Sequence, residues 1–182
     1  GHAEALAPMV DLAMREAGIA FAALDRLAVT TGPGTFTGQR VGLSFMRGLR
    51  IGLERPLIGI TTLEAMAAAT GAARAAAIHD AKRDEAYLLL REKDEIVLPP
   101  TVLPFEEAVA RIRAFGASAL CGTGAKVAAA SLGAQFPVSA IRQPDALWVG
   151  RLAMTRAIPA DPPAPLYLRA PDAKLPGGVS PS

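Results

Sequence analysis

From His2 to Ala17 the apolar or small positions His2, Leu6, Met9, Val10, Ala13 and Ala17 recur at helical spacing, with Asp11, Arg15 and Glu16 facing away and Gly18 as the stop. This pattern predicts an amphipathic helix. Leu27 to Thr31 is a short β-prone run that ends in Gly32-Pro-Gly-Thr-Phe-Thr-Gly38, a loop regular structure does not absorb, and a second helix is expected from Thr37 to Leu53. Leu57-Ile-Gly-Ile60 reads as a buried strand. Thr61-Thr-Leu-Glu64 is a capping-box pattern that opens a third, alanine-rich helix ending near Gly71. Beyond it, Ala75 to Asp80 and Glu85 to Arg91 read as strands joined by the polar turn Ala81-Lys-Arg-Asp84, with Glu95 to Leu98 as a third strand that Pro99, Pro100 and Pro104 punctuate. A helix is expected over Phe105 to Phe115, a strand over Ala117 to Gly122, a helix over Ala125 to Leu132, a weak strand over Val138 to Ile141 and a last helix over Asp145 to Ile158.

The element order is αβαβα and then βββαβαβα, two copies of one α/β unit in which the middle strand runs into a glycine loop that opens a helix. Residues 1–72 form the first lobe, 73–158 the second, and 159–182 an extended segment, carrying Leu166-Tyr-Leu-Arg169, with a tail from Pro176 to Ser182 expected to be disordered. The second copy begins with three strands and the first with none. Interior strands of parallel sheets need partners on both sides, so an N-terminal three-stranded piece is expected before Gly1.

Half of the 182 residues are hydrophobic, which is ample for a core and excludes a disordered chain. A formal charge of +2 creates no strong field, so direct nucleic-acid binding is not dictated. The single cysteine, Cys121, cannot form an intrachain disulfide, and no signal peptide or membrane span is legible, so a cytoplasmic location is expected. Two isolated histidines without metal-ligand spacing argue against zinc chemistry. No serine nucleophile elbow occurs, and Cys121 on an apolar strand reads as inert core, so no catalytic residue and no metal ligand is assigned.

Three features remain as candidates. Gly32, Pro33, Gly34, Thr35, Phe36, Thr37, Gly38 and Arg40 form a distinctive loop in which Thr35 or Thr37 can cap the next helix; its plainer reading is a strand-to-helix turn. On that helix Gly38, Gly42, Ser44, Gly48 and Gly52 fall within about 160° of arc at about 100° per residue, shared with Val41, Phe45 and Leu49. Glycine costs about 1 kcal/mol relative to alanine inside a helix, so close packing is expected there, internal or against a partner. Arg40, Arg47 and Arg50 lie on the opposite side, read as a solvated face or as a surface for RNA or an acidic partner. Asp80, Lys82 and Arg83 at the turn, with Gly122, Thr123 and Gly124 before a helix, make a residual phosphate or magnesium site the sharper alternative to a solvated turn.

Gly32-Pro-Gly-Thr-Phe-Thr-Gly-x-Arg40, Pro56-Leu-Ile-Gly-Ile-Thr-Thr-Leu63, Ile78-His-Asp-Ala81, Glu85-Ala-Tyr87, Gly122-Thr-Gly124 and Leu166-Tyr-Leu-Arg169 together resemble the TsaB (YeaZ-like) family across nearly the whole chain. The resemblance implies two ribonuclease-H-like lobes of the actin-like ATPase superfamily, the first lacking its N-terminal strands here. It also implies a non-catalytic partner subunit in the synthesis of threonylcarbamoyladenosine in tRNA. Such a subunit pairs with a TsaD-type transferase, with an associated TsaE-type ATPase, or with a second copy of itself in their absence, and meets tRNA only indirectly. The first two helices carry the pairing, here through Leu6, Met9, Val10 and Ala13 and through Val41, Phe45, Gly48, Leu49 and Gly52. With only the second phosphate hairpin present, no ATP binding is expected. The alternatives are a glycoprotease-like or ATP-hydrolysing enzyme acting alone, and a plain RNA-binding module on the arginine face.

Overall fold

The computed structural model describes residues 2–133 and 135–169. Among them, the first lobe comprises α1 (His2–Ala17), a short 3-10 turn (Phe21–Ala23), β1 (Leu27–Thr30), α2 (Phe36–Leu53), β2 (Leu57–Ile60) and α3 (Thr62–Ala69). The second comprises β3 (Arg74–Lys82), β4 (Glu85–Glu92), β5 (Glu95–Pro104), α4 (Phe105–Phe115), β6 (Ala119–Cys121), α5 (Ala125–Leu132) and α6 (Ala146–Thr155). The expected tail from Pro176 to Ser182 lies outside the described residues.

The α2 stripe of Leu43, Met46, Leu49 and Leu53 packs on Leu27 and Val29 of β1 and on Leu57 of β2, and these two strands pair in parallel from Leu27 against Leu57 to Thr30 against Ile60. In the second sheet the order is β5-β4-β3-β6, antiparallel except for β3 with β6. Its main core is Ile78, Leu88, Leu90, Val109, Ile112 and Leu120, covered by α4 and α5.

The last helix ends at Thr155 rather than Ile158 and the strand expected over Ala117 to Gly122 narrows to Ala119–Cys121, and two further strands depart more. The third strand of the second lobe continues through Pro99 and Pro100 to Pro104, because β5 lies at the sheet edge and the two prolines fall where its register with β4 shifts, between Leu98 opposite Leu90 and Thr101 opposite Leu88. The strand expected over Val138 to Ile141 contracts to a single parallel bridge, Leu120 with Val138.

The lobes also exchange helices. Every residue of α3 from Thr62 to Ala68 is buried: Leu63, Met66 and Ala67 enter a core with Ala75, Ala77, Leu89 and Cys121 of the second sheet. On its other side Ala65 joins Ile58, Ile60, Val149 and Ala153. The last two belong to α6, which sequence order assigns to the second lobe and which packs on the first sheet. Arg26 fixes it there, its Nη1 donating to the carbonyls of Ala153 at 2.9 Å and Met154 at 3.1 Å.

Candidate functional site

The loop after β1 is held at its start by β2 and by the first turn of α3: Thr31 N–H donates to Ile60 O at 2.9 Å and Thr62 N–H to Gly32 O at 2.8 Å. Thr35 caps α2, its Oγ1 accepting from Gly38 N–H at 3.2 Å, and a β-carbon at Gly38 would approach that oxygen to 2.7 Å. Gln39, the unspecified position in the motif, folds back to donate from Nε2 to Gly34 O at 3.1 Å. It fills the space where a Gly32 β-carbon would stand, at φ +110°. The string is therefore the prescription for one self-supporting turn. Sequence reasoning passed over Gln39 because nothing in an isolated glutamine signals a side chain that returns to its own loop.

Arg40 and Arg47 do not form a free basic face. The Arg40 guanidinium lies 3.7 Å above the Phe36 ring and its Nε donates to Tyr167 Oη at 3.0 Å, while Tyr167 stacks on Phe36 at 5.5 Å between centroids. Arg47 Nη2 donates to Pro163 O at 2.8 Å. Two of the three arginines read as solvated or RNA-facing thus hold the C-terminal segment, which corrects that expectation. The signal was available in Leu166-Tyr-Leu-Arg169, whose aromatic and cationic residues need partners.

The first two helices leave a different kind of surface. Leu6, Val10, Val41, Phe45 and Leu49 are half-buried, and Ala13, Gly48 and Gly52 are exposed. Met9 is 64% exposed, Leu12 56% and Ile51 72%, a concentration of water-facing large apolar side chains on one helical pair. Leu12 and Ile51 were absent from the predicted set. A β-carbon at Gly42, Gly48 or Gly52 would meet nothing within 4 Å, so the internal contact that one reading of these glycines required is not made. The glycine track lies open.

In the second lobe the turn is tightly self-satisfied. Asp80 Oδ1 accepts from Lys82 N–H at 2.7 Å and Oδ2 from Lys82 Nζ at 2.8 Å, bonds that lower the Asp80 pKa below its ordinary value. Thr123 Oγ1 accepts from Asp80 N–H at 3.0 Å, and Thr123 N–H donates to His79 Nδ1 at 3.0 Å. Gly122 N–H donates to Ile141 O, Gly124 N–H to Ile78 O and Ala125 N–H to Gly122 O. The structure brings Asp80, Lys82 and Thr123 to one wall, but the amides a phosphate would need at Gly122, Thr123 and Gly124 already have acceptors. The geometry therefore argues against the phosphate cradle and for a lock between β3 and the loop after β6.

Between these walls runs a cleft of about 440 Å³, with Pro33, Gly34, Thr35 and Thr62 on one side and His79, Asp80, Lys82, Tyr87 and Thr123 on the other. Burial pushes the His79 pKa below its ordinary value, aided by the charge of Arg142 and opposed by a backbone hydrogen bond at Ile78. As acceptor from Thr123, His79 carries its proton on Nε2. Cys121 is buried and its thiol is pushed up to about 12, which removes it as a nucleophile. Among the described residues no group of three or more His, Cys, Asp or Glu could hold a metal ion, and no helix is long and apolar enough to cross a membrane.

Residues 1–152 match a protein-family model described as TsaD, tRNA N6-adenosine threonylcarbamoyltransferase. The chain is 37% identical over 98 residues to the tRNA threonylcarbamoyladenosine biosynthesis protein TsaB of Escherichia coli, covering 52% of this chain and 42% of that protein. It is 39% identical over 89 residues to the tRNA N6-adenosine threonylcarbamoyltransferase of Erythrobacter litoralis, covering 49% of this chain and 24% of that one. The chain thus spans less than half the length of the curated relatives it matches. Among solved structures it is similar to a Pseudomonas aeruginosa protein described as uncharacterized with similarity to peptidase YEAZ, with a TM-score of 0.75, 31% identity, and coverage of 93% of this chain and 85% of that one. YeaZ from Pseudomonas aeruginosa gives a TM-score of 0.69 at 32% identity, covering 84% of this chain and 76% of that one.

Proposed function

We propose that this chain, which belongs to the tRNA N6-adenosine threonylcarbamoyltransferase family and within it to the TsaB (YeaZ-like) branch with its actin-like ATPase-type fold, is a partner subunit in the synthesis of threonylcarbamoyladenosine in tRNA. It presents α1 and α2 to a TsaD-type transferase, which performs the chemistry. The observation that carries this reading is the exposed apolar surface of Met9, Leu12 and Ile51 beside the open glycine track of Gly42, Gly48 and Gly52. A partner helix laid on that track would approach the α2 backbone closely, which only small residues permit. Without the transferase the same face pairs with a second copy of the chain. A TsaE-type ATPase joins the assembly through the transferase, and tRNA is met indirectly.

The reading assigns no nucleotide to this chain, and the internal use of the amides from Gly122 to Ala125 supports that. An enzyme acting alone is not favoured. Cys121 is inert, Asp80 is spent on Lys82, and the arginine pair that an RNA module would use is occupied by the C-terminal segment.

Co-purification of the full chain with its transferase tests the reading. Gly48 stands in open space on α2, so Gly48→Leu should stabilise the isolated chain by about 0.5–1 kcal/mol through helix propensity while blocking the close approach. Met9→Asp leaves an exposed position exposed in the free chain but buries a charge on docking, and should weaken binding by on the order of 3 kcal/mol, about a hundredfold in Kd. If the transferase still co-purifies with both variants, α1 and α2 are not the docking surface.

A further inference from the structure

Among the described residues only two charged ones are buried, Glu64 on α3 and Arg91 on β4, at 5% and 9% exposure, and both line one cavity of about 570 Å³. It lies where α3, the β4–β5 turn and the end of α6 meet, and Asp94, Ile96, Leu152 and Arg156 share its walls. An ion taken out of water needs an opposite charge and filled hydrogen bonds to offset its lost hydration.

The two ions are not equally provided for. Glu64 accepts from Arg156 Nη2, a pair whose carboxylate is buried. The carboxylate partner of Arg91 is Asp94, whose Oδ1 accepts from Nη2 at 2.8 Å while the Asp94 side chain stands fully exposed at the turn. A carboxylate so exposed is a weak and readily exchanged partner. A guanidinium carries five donors in a planar fork, and this contact engages one of its nitrogens. Ile96 and Leu152 add aliphatic surface to the same cavity. The carbonyls of Ala153, Met154 and Arg156 at the end of α6 are bound by Arg26, which offsets the negative end of that helix.

We propose that this cavity binds a small carboxylate with a short aliphatic body, whose carboxylate displaces Asp94 from Arg91 and whose carbon chain lies against Ile96 and Leu152. A carboxylate matches the guanidinium fork in one plane with two parallel hydrogen bonds. A phosphate dianion fits less well, because the Glu64 and Asp94 carboxylates on the same walls repel twice the charge. The site takes no residue from α1 or α2, so it stands or falls apart from the proposed partner surface.

The test is a titration of the full chain with sodium butyrate, followed by the methyl resonances of Ile96 and Leu152, against sodium chloride at equal concentration. Both side chains should shift saturably with butyrate alone, at a dissociation constant on the order of 1 mM. Arg91→Gln should weaken binding about tenfold. Asp94→Asn changes a fully exposed side chain and should tighten binding about threefold by removing the competing carboxylate, a gain that a purely structural Arg91–Asp94 pair would not give. Arg151→Gln, which removes a guanidinium stacked on Trp148 outside the cavity, should leave the affinity unchanged. Absence of saturable shifts, tighter binding of inorganic phosphate than of butyrate, or an unchanged affinity in Asp94→Asn would overturn the proposal.

Discussion

At Gly122 a β-carbon would sit 2.2 Å from the Ile78 carbonyl oxygen at a φ of +105°, so the turn after β6 is confined to glycine by both space and backbone. The same crossing fixes His79 as a neutral acceptor, with pH consequences of definite sign. Its folded pKa lies below the ordinary 6.5, so above that pH both states are neutral and the residue adds no pH dependence. As pH falls below 6.5 the unfolded chain takes up the proton first, and stability declines until the lower folded pKa is passed. Urea melts across that range should show a slope of at most about 1.4 kcal/mol per pH unit from this group, absent in His79→Gln. An unaltered slope in the variant would mean that His79 is not held neutral. The threonine caps at Thr35 and Thr61 were legible because a hydroxyl three residues before a helical amide has one productive geometry. The His79–Thr123 bond was not, since it joins residues 44 apart.

Elements bounded by local signals agree with their sequence: α1, β2, α4 and α5 span the expected residues, since amphipathic spacing and a nearby glycine or proline set their ends. Elements governed by position in the sheet do not. The prolines of β5 read as stops because the sequence does not state that the strand is an edge, and α6 carries no mark of the sheet it crosses to. Glu64 shows what that crossing adds. The second half of its capping-box pattern is diverted: instead of returning to the helix start, the buried carboxylate pairs with Arg156 just beyond α6. Arg156→Leu should strand it, costing about 1–3 kcal/mol once the partial exposure of the arginine is discounted, and adding Glu64→Gln should recover part of the loss. Thermal melts of the single and double variants provide the check; equal melting temperatures for all three chains would show that the pair contributes nothing.

Because α3 inserts into the core of the second sheet while α6 lies on the first, neither sheet completes its core from its own lobe alone. The two-copy organisation was legible in the repeated glycine loops; the exchange of helices was not, because it depends on which sheet a buried apolar face meets. Trp148 reports the surroundings of α6, and far-ultraviolet circular dichroism reports the helices of both lobes. Fluorescence and dichroism should therefore lose signal at one denaturant concentration, and two separated midpoints would show lobes that melt independently. The edge formed by β5 has a bearing on the life of the chain before it is folded. Pro99, Pro100 and Pro104 carry no backbone donor, and the register shift at the first two breaks the regular outward row of the strand. A nascent chain that exposes this strand while α4 is still being synthesised offers neighbouring chains an interrupted template, and a cross-β stack has no continuous row of donors there on which to grow.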